Sequence, residues 1–341
     1  MTGSPPRPPF PTLALAVYLC LLLGGGSLWT IVSRPVGMEG EAPMVVLIRP
    51  QFSSLKIAGA LKDAGVIRSR VAFLAVAVAR GTYRRLLPGE YEFAPGIPLL
   101  EIMRRLEQGR GLVHQVTVPE GYAALQIAEL LSEKGLVDRG RFVSLVRDRA
   151  VLERLKVEGD SLEGYLFPDT YRVVKGLSEE AIMQRMVRRF QEVFGPEEQA
   201  RARELEMSVP EVVTLASLIE REAHVPEERP LISAVFHNRL RRGMPLQSDP
   251  TVMYGLSRFK GRLTKANLQS PSPYNTYLRQ GLPPGPIANP GRASIVAALY
   301  PVSSRYLYFV SKNDGTHAFS TNLREHYTRV SRYQLGMGGG G

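Results

Sequence analysis

Apolar positions along this chain follow two rhythms. Short β-branched runs at Met44–Ile48, MVVLI, and at 113–118, VHQVTV, have the character of strands. Each is followed by apolar residues three and four apart, the spacing of one helix face. The two stretches align with each other. Residues 52–76, FSSLKIAGALKDAGVIRSRVAFLAV, and 122–146, YAALQIAELLSEKGLVDRGRFVSLV, match at Leu55/Leu125, Ile57/Ile127, Ala58/Ala128, Leu61/Leu131 and Gly65/Gly135, an offset of 70. The glycine of each copy predicts a helix end in left-handed geometry, with a second helix after it. A strand near Gly89–Phe93 completes the first copy, and the aromatic, proline-rich stretch 161–170, SLEGYLFPDT, is expected as a loop closing the second. From Glu179 onward the pattern is helical, with Ile182, Met186, Phe190 and Val193 on one face of 179–194. Ser208-Val-Pro-Glu211 predicts a capping box at the start of a helix running to about Ala223, and Pro226 and Glu227 start another that ends at Gly243. Residues 306–310 and 317–320 flank Asn313-Asp314-Gly315, the pattern of a β-hairpin, before a final helix and a glycine tail.

A different pattern precedes all of this. Between Arg7 and Arg34 the 26 positions from Pro8 to Ser33 carry no charge, and 12–32 reads TLALAVYLCLLLGGGSLWTIV. About 20 apolar residues at about 1.5 Å each span a hydrocarbon core of about 30 Å, so 12–32 is expected as one transmembrane helix. A cleaved signal peptide would want a shorter apolar run and a small-x-small site. Here the run resumes after Gly24, Gly25 and Gly26, and Tyr18 and Leu19 before Cys20 do not suit a lipoprotein signal. An uncleaved anchor is therefore expected, with a short tail inside and the bulk of the chain outside. The strand–helix–helix–strand order of 43–112 resembles a small sugar-binding fold of the LysM type. The repeat taken by itself favours a plain α+β spacer whose two copies reflect packing only.

Composition narrows the classes. With 341 residues, 44% hydrophobic and 22% charged, the chain is neither disordered nor a multispan membrane protein. Cys20 is its one cysteine and lies inside the apolar run, which excludes an intrachain disulfide and thiol catalysis beyond the membrane. Five histidines (His114, His224, His237, His317, His326) lack metal-ligand spacing, so neither metal nor cofactor is expected. The net charge of +11 is spread over separate arginine pairs, without a basic stripe interleaved with aromatics. That distribution suits an anionic wall or membrane better than nucleic acid.

Candidate chemistry falls on the helix VVTLASLIEREA, 212–223, where Glu220 and Glu222 lie in the last turn. The negative end of the helix dipole raises the pKa of a carboxyl there. Glu222 stacks over Leu218 and Ile219, whereas Glu220 lies over the smaller and more polar Ala216 and Ser217. A carboxyl with an apolar floor is a reasonable general acid, although a glutamate in EREA is also what a solvated helix end looks like. Three stiff, polar loops follow: LQSDPT (246–251), SPYNTY (272–277) and GLPPGPIANPG (281–291). Their tyrosines and amides are groups that a sugar cleft uses, and they could equally serve only to pack the domain.

Together these residues carry a resemblance. The run ASLIEREA, ERPLISAVFHNRLRRGMPLQSDPTVMYG, PYNTY, GLPPGPIANPG, YLYFV and HAFSTN, with EGYLFPDTY at 163–171, resembles the endolytic murein transglycosylase (MltG or YceG-like) family over nearly everything after the anchor. The resemblance implies cleavage of the β-1,4 bond between N-acetylmuramic acid and N-acetylglucosamine inside a nascent strand, leaving a 1,6-anhydro end. It implies Glu222, the second glutamate of the E-x-E pair, as the catalytic residue, with Glu220, Gln247, Asp249 and Asn275 as supporting or substrate-contact residues. Pro245, Ser248 and Asn289 depart from the commonest family residues, which leaves the glutamate in place. The implied organisation is α+β: a cytoplasmic tail (1–11), the transmembrane helix (12–32), a LysM-like domain (43–112), a linking α+β unit (113–175) and a mixed α+β catalytic region (176–335). The implied partners are peptidoglycan strands, the cytoplasmic membrane and peptidoglycan synthases, with no nucleic acid and no cofactor. A non-catalytic peptidoglycan-binding scaffold and a water-using muramidase are the alternatives.

Overall fold

The computed structural model describes residues 42–256, 261 and 263–335. The expected tail (1–11) and membrane span (12–32) lie outside these. Among the described residues no helix is long and apolar enough to cross a membrane. The fold is mixed α+β, with many short helices and, among the described residues, three two-stranded sheets. The described residues fall into two compact units, 42–114 with 172–178, and 115–171 with 179–335.

In the first unit β1 (Met44–Ile48) is followed by α1 (Ser54–Asp63), α2 (Arg70–Ala79), β2 (Gly89–Phe93) and α3 (Leu99–Gln108). β1 and β2 pair antiparallel with Met44 opposite Phe93 and Ile48 opposite Gly89. Alternation puts Val46, Ile48, Tyr91 and Phe93 into the core and leaves Val45 and Leu47 exposed. Ile57, Ala58 and Leu61 of α1, Phe73 and Ala77 of α2, and Ile102, Met103 and Leu106 of α3 close over them. Ser53 and Ser69 cap α1 and α2 by accepting from Lys56 N and Ala72 N.

The offset of 70 is visible in the fold. β3 (Val113–Thr117) is followed by α4 (Ala124–Glu133), in register with α1, and then by α5 (Arg139–Leu145) and α6 (Arg149–Leu155). Gly65 and Gly135 both take left-handed backbone, at φ 73° and 65°, two residues past their helices. The strand that closes the second copy is β4 (Thr170–Val174), which pairs with β3. Residues 161–169 form turns and bends, the loop expected there, and lead into that strand.

The rest of the second unit is helical up to its C-terminal hairpin. It runs through α7 (Glu179–Val193), α8 (Pro196–Glu204), α9 (Val209–Glu222), α10 (Arg229–Arg241), α11 (Asp249–Gly255) and α12 (Arg292–Leu299). β5 (Tyr308–Ser311), β6 (His317–Ser320) and α13 (Leu323–Tyr333) finish it. The hairpin pairs Tyr308 with Ser320 and Ser311 with His317, its turn held by Asn313 and Gly315 at positive φ. Of the linking unit expected at 113–175, residues 115–171 fall in the same compact unit as 179–335, and 113–114 and 172–175 fall in the first.

α9 is the axis of this unit. Its capping box is formed, with Ser208 Oγ accepting from Glu211 N and Glu211 Oε2 accepting from Ser208 N at 2.8 Å. Val212 to Ile219 are buried on every face, the mark of a helix in the middle of a core. Leu215, Leu218 and Ile219 each contribute about 1.5–3 kcal/mol by leaving water. The two polar residues within the run are satisfied locally: Thr214 donates to Pro210 O and Ser217 to Thr214 O, both at 2.7 Å. α10, α11 and α12 pack around this helix and bring the three stiff loops to its C-terminal end.

Candidate active site

Glu222 is the last residue of α9, and Ala223 caps the helix with extended backbone. Its Oε1 accepts a short bond, 2.5 Å, from the hydroxyl of Ser248, the residue that opens α11. Among the described residues nothing bonds its Oε2. Burial pushes the Glu222 carboxyl up to about 7, against the Ser248 bond, which favours the ionised form. The charge of Asp249 adds to the rise and that of Arg221 opposes it. The side chain thus holds its proton near neutrality, with one oxygen unbonded among the described residues.

The LQSDPT loop is built so that Ser248 stays where it is. Ser248 is buried, its N–H donates to Thr276 Oγ1 at 3.0 Å, and its carbonyl accepts from Thr251 Oγ1 at 2.6 Å. Gln247 adopts left-handed backbone, φ 49°, and donates its N–H to Thr276 O. Arg239 of α10 reaches the same loop. It donates to the carbonyls of Pro245 and Leu246, both at 3.0 Å, and to Gln247 Oε1 at 3.1 Å, and lies over the Tyr308 ring at 5.0 Å. Asp249 accepts from Tyr277 OH at 2.6 Å, and burial followed by that bond raises the Tyr277 phenol. Tyr277 is close enough to Glu222 for the glutamate's charge to contribute as well.

The five residues expected from sequence divide into two groups. Glu222, Gln247 and Asp249 lie together around Ser248. Glu220 is tied elsewhere: its Oε2 accepts from Gly291 N at 2.9 Å and its Oε1 from Arg229 at 3.4 Å. Arg229 also donates to Ser294 Oγ, so Glu220 holds the start of α12. The carboxyl of Glu120 packs against Gly291. Burial raises that carboxyl, the charge of Glu220 adds to the rise, and Arg229 opposes it. Asn275 is fully buried and spends its amide on Leu268 O (3.0 Å) and Ser270 O (2.8 Å), while its Oδ1 accepts from Tyr277 N. It supports the PYNTY loop from inside and does not face open space.

The sequence pattern does not single out Ser248, Arg239, Tyr277 or a buried carboxyl, Glu163. Glu163 Oε1 accepts from Ala124 N at 2.9 Å and from Asn289 Nδ2 at 3.0 Å, and its Oε2 accepts from Tyr254 OH at 3.2 Å. Burial pushes it up to about 7 against those bonds and the charge of Arg147. Its presence in EGYLFPDTY, a glutamate beside a glycine in an otherwise aromatic run, was the one available signal.

The sequence model of the YceG-like family matches residues 46–332. The endolytic murein transglycosylase of Bacillus subtilis (strain 168) is 34% identical over 333 residues, covering 92% of this chain and 91% of its own length. The protein of the same name from Streptococcus pneumoniae serotype 2 (strain D39) is 27% identical over 357 residues, and the match takes in 94% of this chain and 64% of that one. A crystal structure of a YceG-like protein from Listeria monocytogenes superposes with a TM-score of 0.59 at 32% identity, covering 84% of this chain and 98% of that one.

Proposed function

This chain belongs to the YceG-like family, and from that premise we propose that it is an endolytic murein transglycosylase, a lyase that cuts within peptidoglycan strands. The single observation that carries the reading of the site is the Glu222 carboxyl, desolvated, bonded through one oxygen to Ser248 and, among the described residues, without a hydrogen-bond partner at the other. In the proposed reaction Glu222 gives its proton to the oxygen between N-acetylmuramic acid and N-acetylglucosamine, and the C1–O bond breaks. The muramic C6 hydroxyl closes on C1, and the Glu222 carboxylate takes the hydroxyl proton. The acid is regenerated, no water is consumed, and the product carries a 1,6-anhydro end. One carboxyl serves both steps, unlike the acid and base pair of an inverting hydrolase. Glu220 is not placed for this role, because an amide and a guanidinium already occupy both of its oxygens.

A general acid must be protonated to act, so kcat/KM is expected to fall as pH rises through about 7. The Ser248 hydroxyl stabilises the ionised form. Ser248→Ala should therefore raise the carboxyl further and move the basic limb upward by about one to two pH units, given about 1.5–3 kcal/mol for a hydrogen bond to a charged group. A limb that stays in place or moves down in the pH profile of Ser248→Ala contradicts the assignment.

The reading extends to the first unit and the N-terminal segment. We take 43–112 as LysM-like and glycan-binding, supported by its strand–helix–helix–strand order and by a groove of about 290 Å³ lined by Phe52, Ser53, Ser54, Tyr83 and Arg84. Ser54 Oγ donates to Tyr83 O and joins the start of α1 to the loop that carries Tyr83. The uncharged stretch 8–33 supports an uncleaved single-pass anchor in the bacterial cytoplasmic membrane, with the enzyme on the far side, beside nascent strands and peptidoglycan synthases. One fractionation tests both parts. The full-length chain is expected in the membrane fraction with its N-terminus intact, and after solubilisation it should co-sediment with purified sacculi, more weakly for Tyr83→Ala. A mature chain beginning after Gly26, or sacculus binding indifferent to Tyr83→Ala, contradicts the corresponding part.

A further inference from the structure

Glu163 lies outside the chemistry assigned to Glu222, yet three donors from three segments converge on it: Ala124 N at the start of α4, Asn289 Nδ2 of the proline-rich loop, and Tyr254 OH of α11. The residue is 4% exposed. Two of these donors belong to the elements that hold the α9 glutamates. Asn289 stands two residues before Gly291, whose N–H bonds Glu220, and Tyr254 lies on the helix opened by Ser248, whose hydroxyl bonds Glu222. Asn289 is pinned further by Leu166 N, which donates to its Oδ1, and its Nδ2 also reaches Tyr122 O, both at 2.9 Å. Next to Glu163, Gly164 sits within van der Waals reach of both Pro286 of the loop and Val213 of α9.

We propose that Glu163 is a positioning residue for transglycosylation: as a common acceptor for Tyr254 and Asn289 it fixes α11 and the proline-rich loop on α9 and so sets the placement of the Glu222 carboxyl. This rests on Glu222 being the acid. The loop has ties that do not pass through Glu163, since Ile287 N donates to Ser217 Oγ and Asn289 N to Tyr122 O. Loss of Glu163 therefore leaves the loop attached but less closely placed, and a shift of about 1 Å at a reacting group can cost about 100-fold in rate.

The substitution chemistry separates placement from proton transfer. In Glu163→Gln the amide oxygen can keep Ala124 and Asn289, and the amide nitrogen can donate to Tyr254, whose hydroxyl turns to accept. Glu163→Ala leaves Ala124 N and Tyr254 OH without this acceptor and Asn289 Nδ2 with Tyr122 O alone. The test is steady-state cleavage of uncrosslinked glycan strands by the full-length protein and its Glu163→Gln, Glu163→Ala and Tyr254→Phe variants, well below each unfolding midpoint. Expected are kcat within about 3-fold of wild type for Glu163→Gln, a fall of about 10- to 100-fold for Glu163→Ala with KM little changed, and an intermediate fall for Tyr254→Phe. The double variant Glu163→Ala/Tyr254→Phe should be no worse than Glu163→Ala, because the two act through one tie. A folded Glu163→Ala with wild-type kcat, a loss confined to KM, or a Glu163→Gln as impaired as Glu163→Ala overturns the proposal. If Glu163→Ala does not fold, an unchanged kcat in Tyr254→Phe overturns it and a reduced one supports it. A wild-type protein that makes no anhydro ends overturns the enzymatic reading and this inference with it, whereas an active wild type with indifferent Glu163 variants overturns this inference alone.

Discussion

Glu222→Gln should leave a folded protein that has lost about 10²–10⁴-fold in turnover, equivalent to about 3–5 kcal/mol of barrier. The amide keeps the shape of the side chain and can still accept from Ser248, but it carries no transferable proton. Glu220→Gln is the comparison. It disturbs the Gly291 and Arg229 bonds that hold α12, so a smaller loss is expected, accompanied by reduced stability. Thermal unfolding supplies an independent check through linkage. The Glu222 carboxyl sits at about 7 in the folded protein against an ordinary value of 4.5, so folding takes up a proton between those values. The contribution of this group to stability is complete below pH 4.5 and is lost as pH rises through about 7. Glu163, raised to about 7 for the same reason, acts in the same direction. Glu222→Gln removes one of the two, so its unfolding midpoint should exceed that of wild type at pH 8 and match it near pH 4. An equal pH dependence in both proteins would mean that Glu222 is solvated, which the proposed chemistry does not allow.

Gly164→Ala should destabilise the second unit by about 2–5 kcal/mol, combining about 1–2 kcal/mol for an L-residue in left-handed backbone with about 1–3 kcal/mol of overpacking. Gly164 has φ +88°, and an added Cβ would lie 2.6 Å from both Pro286 Cγ and Val213 Cγ1. Neither neighbour can give way easily: one is a proline ring in a stiff loop, the other a side chain in the middle of the buried helix α9. The measurement is the denaturant midpoint of the variant with its m-value. A change below about 0.5 kcal/mol, the range of an unremarkable surface substitution, contradicts the close packing described.

Local signals in the sequence carried well into the fold. The offset of 70 placed α1 and α4 in register because apolar spacing and a terminal glycine are properties of one short segment. The Ser208–Glu211 capping box and the Asn313-Asp314-Gly315 turn were legible for the same reason. The closing strand of the second copy was not, since β4 pairs with β3 across more than fifty residues and neither strand shows a strong alternation of its own. The site was legible in part. Helical spacing sets Leu218 and Ile219 beneath Glu222 and Ala216 and Ser217 beneath Glu220, and the proposed choice of Glu222 as the acid first rests on that spacing. Ser248, Glu163 and Asn289 could not be weighed, because their meaning lies in bonds between segments 26 to 126 residues apart. Asn275 looked like a cleft amide in PYNTY, and only its burial shows that its hydrogen bonds are spent on its own loop.

Asp249 is the feature that a water-using reaction would need, since it places a second carboxylate near Glu222. Mass spectrometry of the ends released from purified glycan strands therefore tests the central claim most directly. The single-acid mechanism predicts 1,6-anhydro-muramic ends, lighter than hydrolysed ends by one water, from the wild-type protein and their absence from Glu222→Gln. Reducing ends carrying oxygen from the solvent, or anhydro ends undiminished in Glu222→Gln, would contradict it.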